Sequence, residues 1–236
     1  MKRRDLLRFT AGLSALSLMS ARAWTAAKLS VGDSDVFVVV DMQNCFVPGG
    51  SLAVKGGDEI VPLVNRLARR FRHVVLTQDW HTSDHVSFAS QHSGKKPFDT
   101  VALPYGTQVL WPDHCVQGTA GSLLHKGLDI PHAELIIRKG NRREVDSYSA
   151  FVEADKKTQT GLGGYLKQRG LKRVFFAGLA TDFCVAWSAL DARRQGFEAL
   201  VIEDACRGID TQGSLAKAWT DMNSAGVQRI QSSDLL

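Results

Sequence analysis

The chain has 236 residues, 44% hydrophobic and 22% charged, which suits one globular domain able to bury a substantial core without needing disulfides or metal to fold. Its formal net charge of +5 is concentrated at one end, because Lys2, Arg3, Arg4, Arg8 and Arg22 against Asp5 put +4 in residues 1–23 and leave +1 for the rest. A near-neutral remainder gives no ground for nucleic acid as a partner and points to small-molecule chemistry.

The first element is an export-type signal over residues 1–23. A basic start is followed by an uncharged, mildly apolar stretch over residues 10–20 and then by Ala21-Arg22-Ala23, the order of a cleavable signal. The paired Arg3-Arg4 ahead of Leu6-Leu7 resembles a twin-arginine signal. That implies the twin-arginine (Tat) export machinery as a partner, cleavage after Ala23 and a folded, periplasmic product. A cytoplasmic protein with a basic amphipathic N-terminal helix is the alternative. The apolar run is too short and too rich in Ser, Thr and Gly for stable membrane insertion.

One domain over residues 33–236 follows, in which short apolar runs alternate with segments of helical period. Strand is expected at residues 36–40, helix at 60–71, strands at 74–76 and 135–137, and helix at 162–168. Beyond these come strand at 174–176, helix at 185–195, strand at 200–202, helix at 214–222 and strand at 227–230. Such alternation predicts an α/β fold, a three-layer, doubly wound, Rossmann-like arrangement around a mostly parallel six-stranded sheet. Right-handed crossovers place helices on both faces. Residues 88–134 lack a period and are too long for an idle connector, so a functional excursion over the site is expected there.

In doubly wound folds, ligands gather beyond the carboxyl ends of the strands. Here Asp41 ends the first strand, Asp79 and His81 follow the second, Lys139 follows the third and Cys184 follows the fourth. Cys184, delivered by the turn at residues 178–185 onto a helix start, is a candidate nucleophile whose thiolate the helix dipole favours, below the free value of about 8.5. The N–H groups of the same turn can cradle an oxyanion. Asp41 suits the role of general base turned general acid, and Lys139 is expected to hold both neighbouring pKa values low. Asp79 and His81, with His114 from the excursion, offer a facial ligand set for a divalent ion, with zinc, manganese and iron all admitted by the spacing. His85 is a further candidate ligand, with a pocket role favoured, and His73, His92, His125 and His132 read as structural. Cys45, Cys115, Cys184 and Cys206 show no C-x-x-C spacing.

Four motifs together resemble one family. They are Val-Val-Asp-Met-Gln-Asn at 39–44, Gln-Asp-Trp-His-Thr-Ser-Asp-His-Val-Ser-Phe at 78–88, Trp-Pro-Asp-His-Cys-Val-Gln-Gly-Thr at 111–119 and Gly-Leu-Ala-Thr-Asp-Phe-Cys-Val at 178–185. The chain resembles the nicotinamidases, also called pyrazinamidases, of the isochorismatase-like cysteine hydrolase superfamily. The resemblance implies that nicotinamide is hydrolysed to nicotinate and ammonia through a thioester on Cys184, with pyrazinamide as a second substrate, in pyridine nucleotide (NAD) salvage. It implies a triad of Asp41, Lys139 and Cys184, a cis peptide between Leu179 and Ala180, and an oxyanion site at the N–H groups of Ala180 and Cys184. It implies one divalent metal ion, zinc foremost with manganese or iron as alternatives, on Asp79, His81 and His114. Phe46, Trp111 and Tyr148 are then the substrate-binding aromatic walls, and a homo-oligomer is compatible with the family. The family usually has Asp where this chain has Cys45, a departure that brings a second thiol near the mouth, able to pair with Cys184 or Cys115. Two alternatives remain at this level: a related amidohydrolase for ureido or carbamoyl substrates, which would not need the metal set, and an exported, non-catalytic ligand-binding protein on the same scaffold.

Overall fold

The computed structural model describes residues 28–236; the signal expected over residues 1–23 lies outside them. β1 (Asp35–Val40) is buried along its whole length, as a β-branched run covered on both faces should be. α1 (Val61–Ala68), with a proline in its first turn, is shorter than its apolar period suggested. Residues 69–71 leave the helix so that Phe71 can pack between Phe37 and Phe175, at ring separations of 5.1 and 5.0 Å. β2 (His73–Asp79) leads into the excursion, which contains a small hairpin of β3 (Thr100–Leu103) and β4 (Gly106–Val109) that the sequence pattern did not announce. Then come β5 (Leu135–Lys139), α2 (Leu162–Gln168), β6 (Arg173–Leu179), α3 (Ala186–Arg194), β7 (Glu198–Arg207), α4 (Ser214–Ser224) and β8 (Gln228–Ile230).

Six strands form one sheet in the order β5-β2-β1-β6-β7-β8, and every neighbouring pair is parallel. From β1 the chain moves outward to β2 and β5, then returns to lay β6 against the other side of β1. The crevice at this reversal opens beyond the carboxyl ends of β1 and β6, where ligands of doubly wound sheets bind.

β2 and β5 run further than expected because they pair with each other to their ends, Asp79 lying opposite Lys139. On β6, Gly178 sits opposite Val40 with φ of 123°, and a Cβ there would fall 2.1 Å from the Val40 carbonyl oxygen. Only glycine lets the two site-bearing strands approach so closely. Among the described residues no helix is long and apolar enough to cross a membrane.

Candidate active site

Asp41 leaves β1 in a left-handed conformation, φ 48°, which turns its side chain into the crevice. Thr77 of β2 holds it twice, accepting from the Asp41 N–H at 3.1 Å and donating to Asp41 Oδ1 at 2.5 Å. The other oxygen, Oδ2, lies 2.8 Å from Lys139 Nζ as an ion pair but has no aligned hydrogen-bond donor among the described residues.

Lys139, at the end of β5, is buried with its ammonium in the middle of the constellation. Nζ donates to Asp79 Oδ1, to the Ser147 carbonyl at 3.2 Å and to Cys184 Sγ at 3.3 Å. Burial alone would lower its pKa, but Asp41, Asp79 and Cys184 around it raise it well above the ordinary lysine value. It is a fixed cation. Ligand atoms of Asp41, Asp79 and Cys184 all lie within 4.8 Å of one another, so the three residues separated by some 140 positions do meet at one point.

Cys184 sits in a single π-type turn, Thr181–Val185, that follows the cis Leu179–Ala180 peptide and runs into α3. The helix expected from residue 185 thus starts one residue later, behind a wider turn. The expectation of a lowered thiol pKa is corrected: burial pushes the Cys184 thiol well up, and the carboxylates of Asp41 and Asp79 add to the rise that Lys139 opposes. Asp41 is likewise raised, chiefly by burial, although Lys139 pulls it down. Burial thus favours the protonated form of both groups, and Lys139 opposes it in both.

Asp79, His81 and His114 converge as the sequence suggested. His81 Nε2 and His114 Nε2 lie 3.6 and 3.7 Å from Asp79 Oδ2, and the ligand atoms are mutually within 4.8 Å. His81 Nδ1 donates to the Gly140 carbonyl at 2.9 Å and His114 Nδ1 to that of Pro112 at 2.8 Å. A carbonyl can only accept, so each Nδ1 carries a proton, and Nε2, the ring atom facing Asp79, is the one that could ligate a cation. Gly140 is required here too, since a Cβ would come within 2.5 Å of the His81 ring. Burial would raise Asp79, yet Lys139 and His81 hold it well below the usual carboxylate range, a permanent anion suited to a cation.

His85 stacks 4.2 Å from His81, but its Nδ1 is bonded to Ser87 Oγ at 2.7 Å and its Nε2 faces the Val145 carbonyl at 3.3 Å. Burial, then the neighbouring His81, lowers its pKa to about 4, which makes it a neutral wall. His73, His92, His125 and His132 bond Glu134, the Val86 carbonyl, the Gly127 N–H and the Ala68 carbonyl, away from the site.

Phe46, Trp111 and Tyr148 all line a narrow cavity of about 20 Å³ over Cys184, with Ala180, Phe183 and Ile209. Its walls are fastened by a network that sequence reading missed. Trp111 Nε1 donates to Tyr148 Oη at 3.0 Å, and Gln108 Nε2, from β4, donates to Tyr148 Oη at 3.1 Å and to Asp146 Oδ2 at 2.7 Å. Gln43 was visible in the first motif but unread: it donates to the Asp79 and Ser122 carbonyls at 2.8 and 2.9 Å and accepts from the Asp79 N–H at 2.8 Å. Of the cysteines, Cys45 is joined to Cys115, and Cys184 and Cys206 are free.

Comparison with known proteins agrees with this geometry. The isochorismatase domain model matches residues 35–234. The nicotinamidase of Acinetobacter baylyi is 56% identical over 209 residues, covering 89% of this chain and 98% of that protein. The solved Acinetobacter baumanii nicotinamidase/pyrazinamidase superposes with a TM-score of 0.86 at 60% identity, covering 87% of this chain and 99% of its own. The pyrazinamidase of Pyrococcus horikoshii, solved in complex with zinc, superposes at 0.70 with 35% identity, covering 84% and 99%. With a domain match over nearly all the described residues and relatives aligned along their full length, the chain belongs to the isochorismatase family and, within it, to the nicotinamidase/pyrazinamidase group.

Proposed function

We propose that the protein is a nicotinamidase, hydrolysing nicotinamide to nicotinate and ammonia through a thioester on Cys184, accepting pyrazinamide, and serving pyridine nucleotide salvage. The observation that carries this is the single ammonium of Lys139 touching Asp41, Asp79 and Cys184 at once, which ties the nucleophile to the metal-ligand set. A related amidase without a metal would have no use for that link.

The chemistry follows from where the proton sits. As Cys184 Sγ attacks the carboxamide carbon, its proton passes to the unbonded Oδ2 of Asp41 and the carbonyl electron pair moves onto oxygen. The backbone N–H groups of Ala180 and Cys184 are assigned to that oxyanion. Asp41 returns the proton to the amide nitrogen, the C–N bond breaks and ammonia leaves a thioester. Water then adds to the thioester as Asp41 takes one of its protons. Collapse frees nicotinate, and the proton returns to sulfur. Lys139 stays charged throughout and offsets whichever partner is anionic. A divalent cation, zinc foremost, held by Asp79, His81 and His114, would supply a Lewis-acid anchor for the pyridine nitrogen. Phe46, Trp111 and Tyr148 would clasp the flat ring.

Ammonia release from nicotinamide, pyrazinamide and a carbamoyl substrate tests the proposal directly. Turnover of the two pyridine-type amides, abolished in Cys184→Ala, is expected; release from the carbamoyl compound alone, or activity that survives Cys184→Ala, overturns it. Arg3-Arg4 and the alanines flanking Arg22 further support a periplasmic location reached in the folded state, and a disulfide suits an oxidising compartment. Cell fractionation should find the chain in the periplasm beginning at Trp24; an unprocessed cytosolic chain beginning at Met1 overturns that location.

A further inference from the structure

Cys45 and Cys115 form a disulfide across a sequence separation of 70 residues. Neither sulfur takes part in the proposed reaction, but their immediate neighbours do. Cys45 precedes the cavity wall Phe46, Cys115 follows the metal-ligand candidate His114, and the Phe46 and His114 rings lie 5.5 Å apart. The bridge therefore runs alongside that pair.

His114 is the ligand candidate that the excursion contributes. Asp79 is anchored in β2, and His81 rests on the Gly140 carbonyl beyond β5. His114 instead belongs to residues 110–119, which contain no strand or helix, and its Nδ1 leans on Pro112 of the same segment. Cys115 itself has φ of 46°, a left-handed conformation that a non-glycine residue keeps only when its surroundings hold it there. On one side the His81 N–H donates to the Cys115 carbonyl at 3.1 Å and the Gln117 N–H to the His81 carbonyl at 2.9 Å. On the other the stretch just after β1 meets the excursion, where the Asn44 and Cys45 N–H groups donate to the carbonyls of Leu123 and Gly121 at 3.0 and 2.9 Å, and the disulfide adds a covalent link at Cys115 itself. Through it, the excursion that brings His114 is tied to the chain that brings Asp41.

We propose that the Cys45–Cys115 disulfide is a positioning element of the metal centre, holding His114 in register with Asp79 and His81, so that opening it weakens divalent-cation binding. The inference rests on the metal site of the proposed function but not on the amide substrate. Opening by a phosphine reductant is balanced as follows: the S–S bond breaks, two electrons pass from phosphorus to the sulfurs, water supplies oxygen to the phosphine oxide, and its two protons complete two thiols.

The test is zinc affinity, measured with zinc alone against a chromogenic chelator, for the full chain in three forms: oxidised, phosphine-reduced, and Cys45→Ser/Cys115→Ser. Zinc binding about tenfold weaker or more in the two opened forms is expected, the range seen when supports of metal ligands are removed. A purely structural bridge would lower the melting temperature of the zinc-free protein and leave affinity unchanged. Should the serine variant not fold, the reduced wild type, with folding followed by circular dichroism, decides. The proposal is overturned if affinities agree within twofold, if the oxidised protein binds no zinc, or if unreduced peptide mapping finds Cys45 and Cys115 as separate thiols. A chain that binds zinc in a bridge-dependent way yet releases no ammonia from nicotinamide would remove the proposed function and leave this inference standing.

Discussion

At the scale of residues, the site is a balance of buried charges: one ammonium against two carboxylates, with a thiol that stays neutral until a proton acceptor is in use. Lys139→Met should therefore do more than lower the rate. It leaves Asp41 and Asp79 buried without their counter-ion, and removal of one partner from a buried ionic cluster costs about 3–5 kcal/mol. Urea denaturation should show that loss, and the variant should release ammonia at least about a thousandfold more slowly, since the thiolate and thioester steps lose the cation that touches both Asp41 and Cys184. The second free cysteine gives a cleaner titration. Burial pushes Cys206 up to about 12 from an ordinary value of 9.0. The folded chain then holds a proton that the unfolded chain releases between those values, so this contribution to stability is complete below pH 9 and is lost as pH rises toward about 12. Cys206→Ala should flatten that part of the stability profile relative to wild type, and an unchanged slope would contradict the assignment. Iodoacetamide should label Cys206 only after unfolding.

At the scale of elements, the important joint is β1 against β6, the two strands that deliver Asp41 and the turn of Cys184. Gly178→Ala would drive a Cβ to 2.1 Å from the Val40 carbonyl oxygen, in a conformation with φ of 123° that alanine resists. We expect destabilisation of about 3 kcal/mol or more, read as a fall in melting temperature, with activity lost even in the folded fraction because strand separation moves base and nucleophile apart. The turn after β6 has a second consequence. The cavity over Cys184 is narrow and ring-lined, so its walls decide which flat amides fit. Phe183 is a half-buried wall held only by ring contacts to Trp111 and Tyr148 at 4.8 and 5.6 Å, whereas Tyr148, also half-buried, is fixed by hydrogen bonds from Trp111 and Gln108. Phe183→Ala should raise kcat/KM for ring-substituted amides relative to nicotinamide by about tenfold, the scale on which apolar pockets discriminate; an unchanged ratio would place the limiting wall elsewhere.

At the scale of the whole molecule, the proposed metal site would join β2 to the excursion over residues 88–134, so its occupancy should stabilise the fold as well as the reaction. Zinc at about a hundred times its dissociation constant would add about 2.7 kcal/mol. Chelation should lower the melting temperature and abolish ammonia release, zinc should restore both, and Asp79→Asn should show neither response. Much of this was legible beforehand. The buried run at residues 36–40 announced a central parallel strand, and Asp41, Asp79, Lys139 and Cys184 stood at successive strand ends, because a doubly wound sheet gathers such ends on one rim. Other features were not legible, because they depend on neighbours distant in sequence. The hairpin of β3 and β4 has too few residues to show a period, Gln108 and Asp146 meet only through it, and Thr77 looked like any buried strand residue until Asp41 lay beside it. The residue types at the rim, and their order along the chain, follow from sequence alone, since strand and helix periods are local. Whether Cys184 carries its proton, and whether Cys45 pairs with Cys115 or with the nucleophile, were decided by the tertiary structure, because desolvation and sulfur-to-sulfur distance exist only once the chain has closed around them.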